Sequence, residues 1–339
     1  MAAGYARAAA GSASFPLRMS APDSTSTPAT AAPQAQPVAP HALAGAAAPR
    51  TAGLTPTDAL LALMSLIWAV NFIVAKAAFV HFPPIQFNAL RFVIAGTVML
   101  AIAWRYGQGL PRREDWWRFL GIGILGNTIY QVAFIEGLAH TRAGNASLIM
   151  GGVPMATAIL SHLHGHERLR GRDLTGLGVS SAGLAVIVLG SGHEAGLRAS
   201  LSGDLLVAFA TFCWALYTVL SKPLIDRYGT VTTTALTMAI GAVPIVLLGA
   251  PSLLARDLGS VPAAGWGGVV YSALFALVVA FLLWYHGVNK LGSTRTAVYS
   301  NITPVLTVLI AWPLLSEVPT LWQVSGGVGI FAGIYLTRS

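Results

Sequence analysis

Residues 68–76 read WAVNFIVAK, and residues 214–222 read WALYTVLSK. Each stretch begins with Trp-Ala and ends in a lysine, and the two are offset by 146 positions (214 minus 68). Asp58 and Asp204 are separated by the same 146 positions. Because both stretches lie inside long apolar runs, the match indicates that one helical unit occurs twice along the chain.

The match continues towards the C-terminus at an offset of 150 positions. The matched pairs are Trp116 and Trp266, Gly137 and Gly287, Pro154 and Pro304, Glu167 and Glu317, Gly176 and Gly326, and Gly183 and Gly333. A loop that differs by four residues accounts for the change from 146 to 150. Ordered matches at two adjacent offsets are hard to obtain by chance, so we predict two copies of one unit, at residues 57–190 and 203–337.

Composition decides the class of protein. Of the 339 residues, 55% are hydrophobic and only 9% are charged, whereas a soluble domain carries about 25% charged residues. We therefore predict an all-α integral membrane protein. The net charge of +8 is scattered over short loops, which argues against nucleic-acid binding. The single cysteine, Cys213, excludes an intrachain disulfide.

Ten stretches are long and apolar enough to cross a membrane. They cover about residues 57–80, 85–104, 117–138, 145–163, 173–190, 203–221, 231–250, 266–286, 297–316 and 320–337. Each copy of the repeat holds five of them, an odd number, so the second copy must enter the membrane from the opposite side. The expected architecture is two inverted five-helix repeats, which many secondary transporters share. The alternative is a duplication that only enlarges a helical bundle.

Positive charge in the loops predicts the orientation, because lysine and arginine are enriched on the cytoplasmic side. One set of alternate loops holds eleven such residues: Arg105, Arg112, Arg113, Arg118, Arg168, Arg170, Arg172, Lys222, Arg227, Lys290 and Arg295. The opposite set holds three: Arg142, Arg198 and Arg256. We expect a multi-pass protein of the bacterial inner membrane, in contact with the lipid bilayer and with both termini in the cytoplasm.

The first 55 residues differ from the rest of the chain. They are rich in Ala, Pro, Ser and Thr and show no apolar periodicity, which predicts a disordered N-terminal tail. Their apolar segment is too weak and too interrupted for a signal peptide. Translation could start at Met1 or at Met19, and the sequence leaves both open.

Several short motifs resemble the EamA-type drug/metabolite transporters. In the first copy they are Trp68-Ala69-x-Asn71-Phe72 followed by Lys76, then Pro84, Arg91-Phe92, the stretch 143–154 and Glu167-Arg168-Leu169; in the second they are Gly203-Asp204-Leu205-Leu206, Trp214-Ala215-Leu216-Tyr217, Thr303-Pro304 and Ser316-Glu317. The resemblance covers residues 57–337. It implies a ten-helix fold with a central cavity and movement of small metabolites, without naming one. Glu136 departs from the family pattern, and the second copy lacks an arginine equivalent to Arg91.

Polar residues inside apolar spans should face the interior, because a charge at the bilayer centre costs about 2.5–3.5 kcal/mol on insertion scales. Arg91 follows Asn88 by three residues and shares its helix face. The pair could bind a substrate carboxylate, or Arg91 could reach towards the outer surface. Asn127 and Gln131, four residues apart, also share a face.

Aromatic residues with a polar neighbour lie in the middle of equivalent spans. Trp68 with Asn71, and Trp214 with Tyr217, suit a pocket for organic metabolites. Ordinary aromatic packing is the alternative. Together with Tyr299 and Asn301, these residues complete the candidate cavity set of Trp68, Asn71, Asn88, Arg91, Asn127, Gln131, Trp214, Tyr217, Tyr299 and Asn301.

Glu136 is a candidate proton carrier, since a carboxyl group in a low-dielectric environment takes up a proton more readily. An interfacial carboxylate paired with Arg142 or Arg91 is the alternative. Pro154 and Pro304 interrupt helical hydrogen bonds at equivalent positions and are candidate hinges, although a static kink would look the same.

Other charged residues are expected to be structural. Lys222 is predicted to anchor at the interface, while a role for Lys76 stays open. Glu167 and Glu317 end the fourth and ninth spans and are predicted to fix loops. The histidines at 162, 164 and 166 could approach a metal, but a solvated loop is favoured, so we predict no metal site.

A secondary transporter without a cofactor is the leading functional hypothesis, with export of small organic metabolites such as amino acids as the favoured direction. No phosphate-binding loop motif occurs in the sequence. A membrane-embedded lipid-modifying enzyme and a non-transporting scaffold are the alternatives. The expected partners are a small-molecule substrate and, as a candidate assembly, a second copy of the chain, without nucleic acid.

Overall fold

The computed structural model describes residues 55–164, 171–191 and 198–338, and all of their regular structure is helical. The α-helices are α1 Pro56–Ala78, α2 Pro84–Tyr106, α3 Trp116–Ile124, α4 Tyr130–His140, α5 Ala143–Met150, α6 Val153–Leu163, α7 Gly171–Ser191, α8 Arg198–Leu254, α9 Ala263–Tyr271, α10 Ala280–Leu291, α11 Ser293–Tyr299, α12 Ile302–Leu315 and α13 Leu321–Arg338. The all-α prediction is thus confirmed for this part of the chain. The predicted tail before residue 55, the choice of start codon, His166 and Glu167 lie outside it.

Seven stretches within the described residues are long and apolar enough to cross a membrane. They are Pro56–Ala78, Pro84–Tyr106, Arg113–His140, Ala143–Leu163, Leu201–Leu254, Ala263–Leu291 and Ser293–Leu315. The helices α7 and α13 are not among the seven. This set of apolar helices is that of a multi-pass membrane protein.

The helix α8 is far longer than one membrane crossing. Its apolar stretch of 54 residues would extend about 80 Å as a straight helix, against a hydrocarbon core of about 30 Å. Gly229 interrupts it with φ 72°, a left-handed conformation that glycine adopts without steric cost. The break divides α8 into two arms, residues 198–228 and 230–254.

The start of α1 is fixed by a capping box. The Thr55 hydroxyl accepts a hydrogen bond from the Asp58 backbone N–H at 3.3 Å, and the Asp58 carboxylate accepts one from the Thr55 N–H at 2.7 Å. Pro56 occupies the first helical position, where its missing N–H is not needed. Asp58 is therefore held at the entrance of the first span.

The stretches predicted as the third and fourth spans of each repeat are interrupted at related positions. A π-helical segment, Leu125–Ile129, joins α3 to α4, and another, Ser272–Val279, joins α9 to α10. The fourth span breaks at residues 151–152, between α5 and α6, and its counterpart breaks at residues 300–301, between α11 and α12. Irregular backbone at membrane depth is tolerated where it is buried in protein or lines a cavity. The predicted hinge residues Pro154 and Pro304 come directly after these breaks.

The helices α7 and α13 pack against each other in antiparallel orientation through glycines. A Cβ atom on Gly183 would lie 2.6 Å from the backbone oxygen of Gly326, and one on Gly333 would collide with the backbone oxygen of Gly176. The Ser180 hydroxyl donates a hydrogen bond to the Ile330 carbonyl at 3.1 Å. Small residues permit this backbone-to-backbone approach within a membrane.

Candidate functional site

A pocket enclosing about 580 Å³ of empty space, part of it open to solvent, lies where the two repeats meet. The first repeat lines it with Trp68, Asn71, Phe72, Arg91, Tyr130, Gln131, Phe134, Ser147, Met150 and Val153, and the second lines it with Trp214, Ala276, Leu277, Phe281, Ser300 and Thr303. Both interrupted fourth spans reach the cavity, and so does the π-helical segment before α10. Three of the interrupted segments therefore contribute to the lining of this space.

Equivalent positions of the two repeats line the cavity together. Trp68 and Trp214 are related by the offset of 146, and the offset of 150 relates three further pairs of lining residues. Those pairs are Gln131 and Phe281, Met150 and Ser300, and Val153 and Thr303. The cavity thus lies around the centre of the internal repeat, the position where transporters built from repeats bind substrate.

The two repeats contribute different polar groups to the cavity. The amide and guanidinium side chains of Asn71, Arg91 and Gln131 all come from the first repeat, while the second places Trp214 and Phe281 at the positions equivalent to Trp68 and Gln131. Aromatic rings come from both repeats and form an apolar wall. A molecule with one polar end and one apolar end fits this lining.

Arg91 is buried, with 1% of its surface exposed. Its Nε donates a hydrogen bond to Asn88 Oδ1 at 2.9 Å, and its Nη2 donates one to Gln131 Oε1. Its guanidinium also lies 5.5 Å from the Phe87 ring centroid, within the range of a cation–π contact. Among the described residues no carboxylate pairs with it. Arg91 is thus a buried cation supported by neutral acceptors and rings.

Tryptophan rings of both repeats form the apolar wall. The centroid of Trp214 lies 5.8 Å from that of Trp68, 5.5 Å from that of Trp284 and 5.1 Å from that of Phe281. On its other side Trp214 lies 4.9 Å from Tyr130. The Trp68 and Trp214 planes cross at 84°, an edge-to-face arrangement that aromatic pairs favour. These contacts join helices of the two repeats.

Three of the predicted cavity residues lie one layer behind the wall. Asn88 supports Arg91, and Asn127 donates its Nδ2 hydrogen to the Tyr217 hydroxyl at 3.1 Å. The Tyr217 hydroxyl is also hydrogen-bonded to Thr237 Oγ1 at 2.9 Å. The hydrogen bonds of Tyr217 hold the π-helical segment Leu125–Ile129 and the two arms of α8 together, and Asn88, Asn127 and Tyr217 do not themselves line the cavity.

The remaining predicted residues lie farther away. Tyr299 donates a hydrogen bond to the Asp58 carboxylate, and Asn301 is partly buried at the α11–α12 break. Glu136 is partly exposed on α4 and forms no ion pair among the described residues. It follows Gln131 by five residues, which turns it about 140° away from the face that meets Arg91.

Several lining residues were not singled out from the sequence. Tyr130 and Phe134 line the cavity from α4, as Gln131 does, and Ser147 and Met150 lie within two turns before Pro154. The repeat offset and the paired prolines are sequence features that point to such residues. Adding the repeat offset to Gln131 gives Phe281, and the breaks before the paired prolines mark the segments that reach the cavity.

A family model describes this arrangement of repeats. The EamA-like transporter family model matches the chain twice, over residues 55–189 and 201–339. The chain belongs to the EamA-like transporter family. It is therefore a transporter by family, and the resemblance seen in its sequence motifs is confirmed.

Relatives of this EamA-like transporter include proteins with and without a named substrate. An uncharacterized transporter of Bacillus subtilis, YyaM, is 29% identical and covers 81% of this chain and 90% of its own length. A probable terminal-alkyne amino-acid exporter of Streptantibioticus cattleyicolor is 26% identical, covering 81% and 91%. A probable amino-acid metabolite efflux pump of Salmonella typhimurium is 25% identical, covering 82% and 94%.

A solved crystal structure shares the fold. It superposes on this EamA-like transporter with a TM-score of 0.61 at 22% identity, covering 83% of this chain and 95% of the other. At that identity the likeness concerns the fold alone.

A polar cluster lies at one end of the transporter, and we call it the inter-repeat cluster: Lys76, Thr141, Asn145, Asp204 and Glu317. The Lys76 ammonium donates a hydrogen bond to the Thr141 carbonyl and lies 4.0 Å from Glu317. The Glu317 carboxylate accepts hydrogen bonds from the first backbone N–H groups of α5, at 3.1 and 3.2 Å. A carboxylate is stabilised at such a helix N-terminus. The loop-fixing role predicted for Glu317 thus has a definite partner.

Asp204 is the fully buried member of the inter-repeat cluster. It accepts hydrogen bonds from the Thr141 hydroxyl and from Asn145 Nδ2, the latter at 3.4 Å. Its counterpart Asp58, at the start of the other repeat, accepts from Tyr299. Both carboxylates therefore begin the first span of one repeat and bind the fourth span, or the turn before it, of the other.

Replacing Asp204 by alanine should destabilise the transporter. The hydroxyl of Thr141 and the amide of Asn145 would lose a buried acceptor, which costs about 1–3 kcal/mol. Unfolding of the purified protein by a graded denaturing detergent measures the difference. The control is Asp257→Ala, which removes an exposed carboxylate bonded at 2.9 Å to the Gly259 N–H. Equal stability of the two variants would contradict the role assigned to Asp204.

No group of three metal-ligating side chains exists in the parts of the chain that the structure describes. His162 and His164 lie at the end of α6, and His164 Nδ1 lies 2.8 Å from the Leu160 carbonyl. Lys222, predicted to anchor at the interface, forms an ion pair with Asp226 one turn later in α8.

Proposed function

We propose that this chain is a secondary transporter that exports small organic metabolites, amino acids and their derivatives among them, by alternating access. One observation carries the proposal: the cavity is lined by equivalent positions of two repeats, next to spans that are interrupted in both. Interrupted spans at corresponding positions mark the substrate site in transporters of this kind. A scaffold would have no use for a cavity at this place.

Ten spans in two inverted repeats complete the proposed architecture. The two arms of α8 contribute one span each, and α7 and α13 contribute the two spans that the apolar stretches leave out. The antiparallel packing of α7 against α13 supports inversion, because these helices are repeat equivalents. The excess of Lys and Arg in one set of loops supports cytoplasmic termini in an inner membrane.

Alternation requires that each end of the cavity can close. In the proposed cycle the inter-repeat cluster closes the end at which α1 terminates, and its hydrogen bonds break when substrate leaves on that side. The Asp58–Tyr299 bond belongs to the opposite end. Because the repeats are related by the offsets, the two closed states use equivalent parts of the chain and can have similar free energies.

Two relatives support amino-acid-like substrates, since their names describe an amino-acid exporter and an amino-acid metabolite efflux pump. The cavity offers such molecules the guanidinium of Arg91 together with aromatic rings. We also propose export, because both names describe outward transport.

Counterflow into proteoliposomes tests transport. Vesicles holding purified full-length protein are preloaded with one unlabelled metabolite at a time and then given a labelled trace of it. We expect accumulation for at least one amino acid or derivative, and at least about a tenfold loss in Trp68→Ala, which removes a cavity wall residue worth one or more kcal/mol of contact. The control is Trp117→Ala, because Trp117 is exposed. Absence of flux across the whole panel, with folded protein, would overturn the proposal.

A further inference from the structure

We propose that the cavity selects organic monoanions: molecules with a carboxylate, an apolar or aromatic body and no free ammonium group. This inference rests on the proposed function and narrows it from amino acids and their derivatives to the derivatives that lack a free amine. It assigns to Arg91 the binding of the carboxylate, and to the rings around Trp214 the binding of the apolar body.

The charge of the cavity is the first argument. Arg91 is the charged residue among the described lining residues, and no aspartate or glutamate accompanies it. An arginine keeps its proton in proteins, so the cavity lining holds a buried positive charge. Such a charge is costly without a partner, and the described residues supply only Asn88, Gln131 and aromatic rings. A ligand carboxylate completes the ion pair.

The geometry of Arg91 is the second argument. Its Nε–H is used by Asn88 and one Nη2 hydrogen is used by Gln131. A guanidinium has five N–H donors, so three of them, including both on Nη1, have no hydrogen-bond partner among the described residues. A carboxylate can accept hydrogen bonds from more than one of these donors. Asn88 and Gln131 act as positioning residues for the guanidinium.

The described lining of the cavity supplies no counter-charge for an ammonium group on the ligand. Asn71 Oδ1 already accepts a hydrogen bond from the Ser272 hydroxyl at 2.6 Å, and Gln131 Oε1 accepts from Arg91. The lining residues described here include no carboxylate. An ammonium group close to the bound carboxylate would therefore meet the positive charge of Arg91 at low dielectric without a counter-charge of its own. A free amino acid should bind less well than the corresponding acid without the amine.

Four ligands that share a phenyl ring but differ in their charged groups test the inference. The ligands are phenylacetate, phenylacetamide, L-phenylalanine and phenethylamine, and binding to the purified full-length protein is measured by titration calorimetry. We expect phenylacetate to bind at least about tenfold more tightly than phenylacetamide. A hydrogen bond to a charged group contributes more binding free energy than a neutral one, and the difference corresponds to about that ratio of affinities. L-Phenylalanine should bind more weakly than phenylacetate, and phenethylamine should bind least.

Variants of Arg91 and Gln131 test whether charge, and not the shape of the cavity, causes the preference for the acid. Arg91→Gln should remove the preference for the acid over the amide, and Arg91→Lys should keep it at lower affinity. Gln131→Glu leaves Arg91 in place but gives it an internal counter-charge, so the preference should disappear there as well. The control is Arg105→Gln, which removes an exposed charge from the same helix. Retention of the preference in both Arg91→Gln and Gln131→Glu would overturn the inference.

Flux of the same ligands keeps the two proposals distinguishable. Preferred binding of phenylacetate with no flux of any ligand would leave the monoanion site standing and overturn transport. Flux with L-phenylalanine or phenethylamine bound as tightly as phenylacetate would leave transport standing and overturn the monoanion site. Folded wild-type protein that does not bind phenylacetate also overturns it.

Discussion

Replacing Trp214 by alanine is expected to lower the free energy of unfolding by about 3–5 kcal/mol, the usual cost of deleting a large buried aromatic ring, and to abolish measurable transport. Trp214 is 2% exposed. Its ring touches aromatic residues of both repeats, with centroid distances of 4.9 Å to Tyr130 and 5.1 Å to Phe281. Removing it leaves a void at the repeat interface and removes the apolar wall of the cavity.

Tryptophan in an exposed position supplies the control for Trp214. Trp104 is 91% exposed, so Trp104→Ala should change the free energy of unfolding little. Trp214→Phe keeps a ring in place and should recover part of the loss. Unfolding in graded denaturing detergent and counterflow would be measured on all three variants. Similar stability of Trp214→Ala and Trp104→Ala would show that the aromatic cluster does not hold the repeats together.

Gly183→Val should destabilise the protein by about 3 kcal/mol or more, at the upper end of overpacking effects. A Cβ at this position lies 2.6 Å from the Gly326 oxygen and 2.7 Å from the Ile330 nitrogen. Both are backbone atoms of α13, which cannot rotate away as a side chain could. The two helices would have to separate along their whole contact.

The same helix offers the control. Gly178 also lies on α7, but no heavy atom lies within 4 Å of the place its Cβ would take, so Gly178→Val should be tolerated. Gly333→Val, the repeat equivalent of Gly183→Val, should match the large effect because its Cβ collides with the Gly176 oxygen. Unfolding and the yield of monodisperse protein in mild detergent check this. A loss in Gly178→Val as large as in Gly183→Val would contradict the glycine contact.

Much of the fold can be predicted from the sequence because the two copies of the repeat can be compared position by position. The paired Trp68 and Trp214 predicted equivalent helices, and the structure brings their rings to 5.8 Å. Pro154 and Pro304 indicated interruptions at matched places, which the structure has directly before them. The all-helical class and the family follow from composition and motif order.

The contacts of individual side chains could not be predicted from the sequence in the same way. Asn127 and Gln131 share a helix face, yet Gln131 reaches the cavity while Asn127 binds Tyr217 behind it. The π-helical turn before α4 changes the angular position of side chains, and a regular helical period does not include it. Likewise the contact of Lys76 with Glu317 joins residues 241 positions apart (317 minus 76), and no local pattern predicts such a pair.

In the proposed monoanion transporter, the charge of Arg91 bears on the response to membrane voltage. The described residues around the empty cavity carry one positive charge, which a bound monoanion cancels, so a membrane potential acts differently on the empty and the loaded protein. Moving one elementary charge across 100 mV is worth about 2.3 kcal/mol, enough to maintain a concentration ratio of roughly 50-fold. A potential that is negative inside drives anions outwards. Export of a monoanion through this site would thus draw on the electric field without a co-transported ion, and each turnover would register as current.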